Sequence, residues 1–268
     1  MPNPEQVDAI LLTEQRGRVR ILTLNRPKSR NALNIDLIET LRRELAAADA
    51  DEQVDVVVLT GTDPAFCAGV DLRELGSRDD NANRVAVEGI PVGHPWRPLS
   101  KPVIGAVNGA AITGGLELAL ACDFLIASDR ARFADTHARV GVLPGWGLTV
   151  RLPAAVGRGF ALRMSLSGDF VPAGDALRAG LVTQVVPHEV LLETALAVAN
   201  TISGNDTRAV RTLLGSYRSA GEHVEVPALA SEATVSEAWL AQFTPESVAQ
   251  RREAVIDRGR AQNTVAGQ

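Results

Sequence analysis

Residues 109–123 read GAAITGGLELALACD, placing two adjacent glycines ahead of an apolar helical stretch that carries a single acid, Glu117. The start of a helix leaves backbone N–H groups without intrahelical partners, so Gly114 and Gly115 can offer an amide to a developing oxyanion. Glu117 is flanked by Leu116, Leu118, Ala119 and Leu120. A carboxylate in such company has little water around it, and burying a charge is costly unless it gains a partner or a function. As a first-turn acid it would also suit the helix dipole. The chemistry this stretch allows is polarisation of a substrate oxygen by a main-chain amide, with the carboxylate handling a proton or a water beside it.

Two further stretches sit at strand-to-loop junctions. In TLNRPKSRNALN, residues 23–34, Arg26, Lys28 and Arg30 crowd a loop just after a strand and can pair with phosphates, although a solvated basic turn has the same composition. In LTGTDPAFCAGVDL, residues 59–72, a strand runs out into Gly61, Pro64, Ala68 and Gly69, whose small side chains let a ligand approach the backbone. Asp71 can cap a short helix after it, and an ordinary connection would read the same way. The four histidines are isolated from one another with no H-x-x-x-H pair, so no zinc site is expected. There is no G-x-S-x-G elbow, phosphate loop or G-x-G-x-x-G motif. His137, in ARFADTHARVG, is the histidine to weigh.

The elements that must hold these residues follow from patterning. VDAILLTEQ and RVRILTLN, split by Arg16-Gly17, predict a hairpin. Asn34 is a plausible N-cap for a helix whose stripe is Ile35, Leu37, Ile38, Leu41, Leu45 and Ala48. VDVVVLTG predicts a strand buried on both faces. The polar, Gly- and Pro-containing stretch between Asp71 and Pro98 predicts a variable loop or lid. Then come a strand in KPVIGAVNG, a helix from Gly114, strands in FLIAS and ARFAD, the turn GVLPGWG, helices, and a last strand in LVTQVVP. Alternation of this kind predicts an α/β fold with largely parallel pairing. From about Glu189 the pattern is helical only, through LLETALAVANTIS and ESVAQRREAVIDRGRAQ, and looks like an appendage.

Composition bounds the function. The chain has 268 residues, 46% of them hydrophobic, and a formal net charge of -5, which gives no general attraction for nucleic acid or an anionic membrane. Any anionic ligand must be held by local basic residues. The two cysteines, Cys67 and Cys122, lie in apolar or glycine-containing stretches, which argues against a disulfide framework and for a reducing compartment. MPNPEQVDAI lacks the pattern of a secretory signal, and no apolar run is long enough to span a bilayer. The expectation is a cytoplasmic protein without nucleic-acid or membrane partners.

Together the blocks LNRPKSRNALN, FCAGVDL, KPVIGAVNGAAITGGLELALACD, ARFADTHARVGVLPGWGLTVRLPAAVG and LSGDFVPAGDALRAGLVTQVVP, in this order, resemble the crotonase, or enoyl-CoA hydratase/isomerase, family. The resemblance implies an α/β, crotonase-like spiral of ββα units over residues 1–188, with a C-terminal helical region, 189–268, used in oligomerisation. It implies homotrimers that often pair as hexamers. It also implies that the amides of Ala68 and Gly114 form an oxyanion hole for the thioester carbonyl of an acyl-CoA substrate. Arg26, Lys28, Arg30 and Ala32 would line the CoA site, with Gly69, Asp71 and Leu72 in the substrate-binding loop and Trp146 at the acyl pocket, where core packing is the other reading. Glu117 matches the first of the two glutamates that hydratases of this family place around one water. The second position is occupied by His137, with Asp135 two residues earlier as a substitute carboxylate or a solvated strand-end acid. Enoyl-CoA isomerases of the family also rely on that missing glutamate. The expected activity is therefore an enoyl-CoA hydratase-like lyase needing no metal or redox cofactor, with coenzyme A only as part of the substrate. The alternatives are an acyl-CoA binding protein without turnover, or another CoA thioester reaction such as decarboxylation or hydrolysis.

Overall fold

A computed structural model describes residues 9–71 and 88–241. The predicted hairpin is present: β1, Leu11–Arg16, pairs antiparallel with β2, Val19–Leu24, around Gly17. Helix α1, Ile35–Ala50, begins where the capping signal placed it, with the Asn34 side chain accepting from the Leu37 amide at 3.0 Å. Leu37, Ile38, Leu41, Leu45 and Ala48 are its buried stripe. Strand β3, Val56–Gly61, is buried at every position, as a β-branched run inside a parallel sheet should be.

After β3 the chain repeatedly lays one strand in each of two sheets. β4, Ala65–Cys67, follows β3. β5, Val103–Val107, is followed by β6, Ala110–Ile112, and α2, Gly114–Leu120; β7, Phe124–Ser128, is followed by β8, Arg132–Ala134, and the short α3, His137–Val140. The larger sheet has the order β1-β2-β3-β5-β7-β10 and the smaller β4-β6-β8-β9, with β9 at Val171–Pro172 and β10 at Gln184–Val186. Pairing is parallel throughout except β1 with β2 and β8 with β9. This is the expected spiral of ββα turns. The strand expected in KPVIGAVNG is β5; β6, three residues long between the Asn108-Gly109 corner and α2, was not anticipated, because so short an apolar run carries no alternation of its own.

Helices α4, Leu148–Val156, α5, Arg158–Ser167, and α6, Ala173–Ala179, close one face around the main core. Helix α7, Leu191–Ser203, is not an appendage. Its Leu191, Ala195, Leu196 and Ala199 pack on Val19, Ile21, Val56, Val58, Ile104 and Ile126, forming a second core on the other face of the large sheet. Helix α8, Thr207–Leu240, then runs as one long rod. The charged helical stretch expected at 246–262 lies outside the described residues, as does most of the 71–98 loop. Among the described residues no helix is long and apolar enough to cross a membrane.

Candidate active site

The site starts with a close approach that only glycine permits. A Cβ on Gly115 would stand 2.1 Å from the Cys67 carbonyl oxygen, so its absence lets α2 press against the end of β4. Thr113, just before α2, adopts φ +56° and ψ −114°, an unfavourable backbone for a β-branched residue. Its hydroxyl is held by Thr136, whose amide also donates to it at 3.3 Å. The surrounding contacts thus impose a strained turn that brings Gly114 beside the loop at 68–70. A Cβ on Gly114 would lie 3.6 Å from the Val70 nitrogen.

This corrects one expected oxyanion donor. The Ala68 amide is spent on the Arg30 carbonyl at 3.0 Å. The Val70 amide, two residues on, has no acceptor among the described residues, and Gly114, first in its helix, has no intrahelical partner for its own N–H. Gly69 links the two positions: its φ is +91° and its carbonyl accepts from Leu33 at 2.7 Å.

Glu117, in the first turn of α2, is 3% exposed. Its Oε1 accepts from the amides of Gly145, at 3.2 Å, and Trp146, at 2.7 Å. Its Oε2 lies 3.5 Å from Nε2 of His137. The other imidazole nitrogen, Nδ1, is 2.6 Å from Asp135 Oδ1, which also accepts the His137 amide at 3.1 Å. Asp135 is buried too and takes a further hydrogen bond from Ser165 on α5. It therefore supports His137, contrary to the solvated-acid reading. Strand alternation is not what pairs the two, because β8 ends at Ala134 and His137 opens α3.

Asp135, His137 and Glu117 thus form a buried row of alternating charge. Burial alone would push the His137 imidazole down, but the hydrogen bonds of Asp135 and Glu117 and their charges outweigh it and raise its pKa to about 9. Burial would raise the Asp135 carboxyl, yet the hydrogen bond and charge of His137, with Ser165, hold it below the usual carboxylate range. At neutral pH the row is a carboxylate, an imidazolium and the Glu117 carboxyl group, with a donor on Nε2 facing an acceptor on Oε2.

The basic loop divides. Arg26 is committed internally, its guanidinium donating to the Ala32 carbonyl and to Asp71, the latter at 3.1 Å, so it braces the loop in place of meeting a phosphate. Lys28 and Arg30 are exposed. Asp71 accepts from Arg26, and its amide donates to the Leu33 carbonyl at 2.8 Å; the short helix it was expected to cap, with Leu72, lies outside the described residues. The Trp146 side chain is buried in the main core. A cavity of about 530 Å³ opens beyond the C-terminal end of α2, between Leu120, Cys122, Val150, Ala154 and Val224. Neither Glu117 nor His137 lines it, so this void and the acid–histidine row are separate features.

Sequence reasoning missed Val70, Gly145 as an amide donor, and Ser165. Nothing in the spacing of the 65–71 loop tells the amide of Ala68 from that of Val70; the bond to the Arg30 carbonyl, brought in by another loop, separates them.

The chain is similar to known proteins over most of its length. The family described as enoyl-CoA hydratase/isomerase matches residues 14–253. A probable enoyl-CoA hydratase of Rhizobium meliloti is 42% identical over 72% of this chain and 75% of its own length. The 2,3-dehydroadipyl-CoA hydratase of Escherichia coli is 39% identical over 83% of this chain and 87% of its own. A solved enoyl-CoA hydratase from Mycobacterium tuberculosis H37Rv superposes with a TM-score of 0.80 at 55% identity, covering 87% of this chain and 100% of that one. With its two-sheet spiral and its glutamate at the start of α2, the chain belongs to the enoyl-CoA hydratase/isomerase family.

Proposed function

We propose that the protein hydrates a 2-enoyl-CoA thioester, with His137 in place of a second carboxylate. The observation that carries this is Glu117: two main-chain amides hold one of its oxygens, while the other faces His137 Nε2 at 3.5 Å. An acceptor and a donor that close together can share one water. The Val70 and Gly114 amides, adjacent in space, are the donors for the thioester oxygen.

The step balances with water alone. Water oxygen bonds to C3 as Glu117 Oε2 takes its proton, and the π electrons move through C2 onto the thioester oxygen, whose negative charge the two amides stabilise. The enolate then takes a proton at C2 from the imidazolium of His137. Glu117 returns its proton to Nε2, and Asp135 steadies the ring throughout. Exposed Lys28 and Arg30 are the candidates for the CoA phosphates, and Trp146 for the inner wall of the acyl site. The resemblance adds a trimer or a dimer of trimers.

Purified protein should hydrate at least one thioester in a panel of enoyl-CoAs of different chain lengths, with malonyl-type and hydroxyacyl-CoAs included and products read by mass spectrometry. Glu117→Gln should lower kcat by roughly 10² to 10⁴-fold, the usual range for a lost acid–base group. Val70→Pro, which deletes one N–H, should lower it by roughly 10² to 10³-fold. Absence of hydration across the panel, or a Glu117→Gln enzyme as fast as wild type, would overturn the reading.

A further inference from the structure

The turn Gly145-Trp146-Gly147 directs its polar groups three ways. Two amides hold Glu117, the Trp146 carbonyl accepts from Arg151 at 2.6 Å, and the Gly147 amide donates to Glu232 Oε1 at 2.6 Å. Glu232 belongs to α8, far along the chain. Its second oxygen accepts the Thr149 amide at 2.7 Å and the Thr149 hydroxyl. Helix α4 has no side-chain cap from its own N-cap residue, Gly147, so a carboxylate supplied by another helix satisfies its first free amides.

Neighbouring contacts show α8 gripping this region along one face. Glu225, seven residues earlier, lies 3.5 Å from Arg151, which also donates to the Gly93 carbonyl at 2.8 Å. Leu229 packs over Gly93, and the Trp239 indole donates to the Gly141 carbonyl at 2.9 Å. Glu232 itself is 7% exposed. Burial pushes its carboxyl upward and the charge of Glu117 adds to that, while the bonds from Thr149 and Gly147 oppose it. A buried acid kept at that cost beside another acid calls for a role beyond filling space.

We propose that Glu232 is a positioning residue for the hydration step: by pinning Gly147 and Thr149 it sets the turn whose Gly145 and Trp146 amides aim Glu117 at His137. The inference rests on the hydratase reading above. Losing the pin lets the two amides drift, and a misplacement of about 1 Å in a catalytic group can cost about 10²-fold in rate.

The test is a coupling experiment. Glu232→Ala should lower kcat by about 10 to 100-fold with KM for the enoyl-CoA changed by less than about threefold, and Glu232→Gln, which keeps one acceptor oxygen, should fall between. In a Glu117→Gln background the same Glu232→Ala change should cost less than about threefold, because the residue being aimed is already disabled. An equal loss in both backgrounds, or an unchanged kcat, would overturn the proposal. If Glu232→Ala does not fold, Glu232→Gln carries the same comparison. If wild-type protein hydrates nothing, the activity reading fails by itself, and amide hydrogen exchange over residues 144–149 decides this one: faster exchange in Glu232→Gln supports the pin, and unchanged exchange rejects it.

Discussion

At the scale of single residues, His137 sets an imidazole beside Glu117, where the resemblance implied a second carboxylate. An imidazolium between two carboxyl groups is both a proton donor and a stabilising charge, and both roles are titratable. Its folded-state pKa, about 9, lies above the ordinary 6.5, so the stability it contributes is complete below about pH 6.5 and is lost as pH rises through about 9. That contribution is on the order of 3 kcal/mol, from a raise of roughly two to three units at 1.36 kcal/mol each. Under the proposed mechanism activity should fall over the same alkaline range, because His137 is there the proton donor to C2 and loses its proton. Asp135→Asn should move that alkaline limb of kcat to lower pH by about one to two units, read from pH–rate profiles of the two enzymes. An unmoved limb would assign it to another group.

At the scale of elements, the site depends on loops that hold one another. Asn31 is fully buried at φ +55°: its Nδ2 donates to the carbonyls of Thr62 and Ala65 at 2.8 and 2.7 Å, and its Oδ1 accepts the Arg26 amide at 2.8 Å. It joins the basic loop to the β3–β4 connection, just ahead of the Ala68–Val70 turn. Asn31→Ala would leave the Arg26 amide and the Thr62 carbonyl without that partner, leave the Ala65 carbonyl only the Asn108 side-chain amide at 3.4 Å, and force alanine into a left-handed backbone. A loss of about 2–4 kcal/mol is expected, or roughly 5–15 °C in melting temperature by calorimetry. Much of this layer was legible beforehand. The α1 stripe and its Asn34 cap, the hairpin and the buried β3 follow from short-range periodicity. The short strand β6 in the second sheet and the docking of α7 did not, since apolar runs say that a segment is buried but not against which surface.

At the scale of the whole molecule, α8 joins a face that grips the Gly145–Gly147 turn to one that presents Leu213, Tyr217, Val224 and Val235 to solvent, each more than half exposed. So much exposed apolar surface on one helix favours association between copies. Sedimentation velocity should give a mass that is a multiple of three times 28.4 kDa, and a stable monomer at micromolar concentration would reject this. The long helix would then couple assembly to the site through Glu225, Leu229 and Glu232.

By itself the sequence determined the α/β alternation, the first helix and hairpin, the improbable acid at 117 and the histidine at 137, because each is written in residue type and spacing within a few positions. Only the tertiary structure decided that Val70 and not Ala68 has the unspent amide, that Arg26 is a brace, and that Glu232 caps α4. Each of those depends on which hydrogen-bond partner arrives from a distant part of the chain. Local pattern can mark a group as needing a partner, but packing alone assigns it.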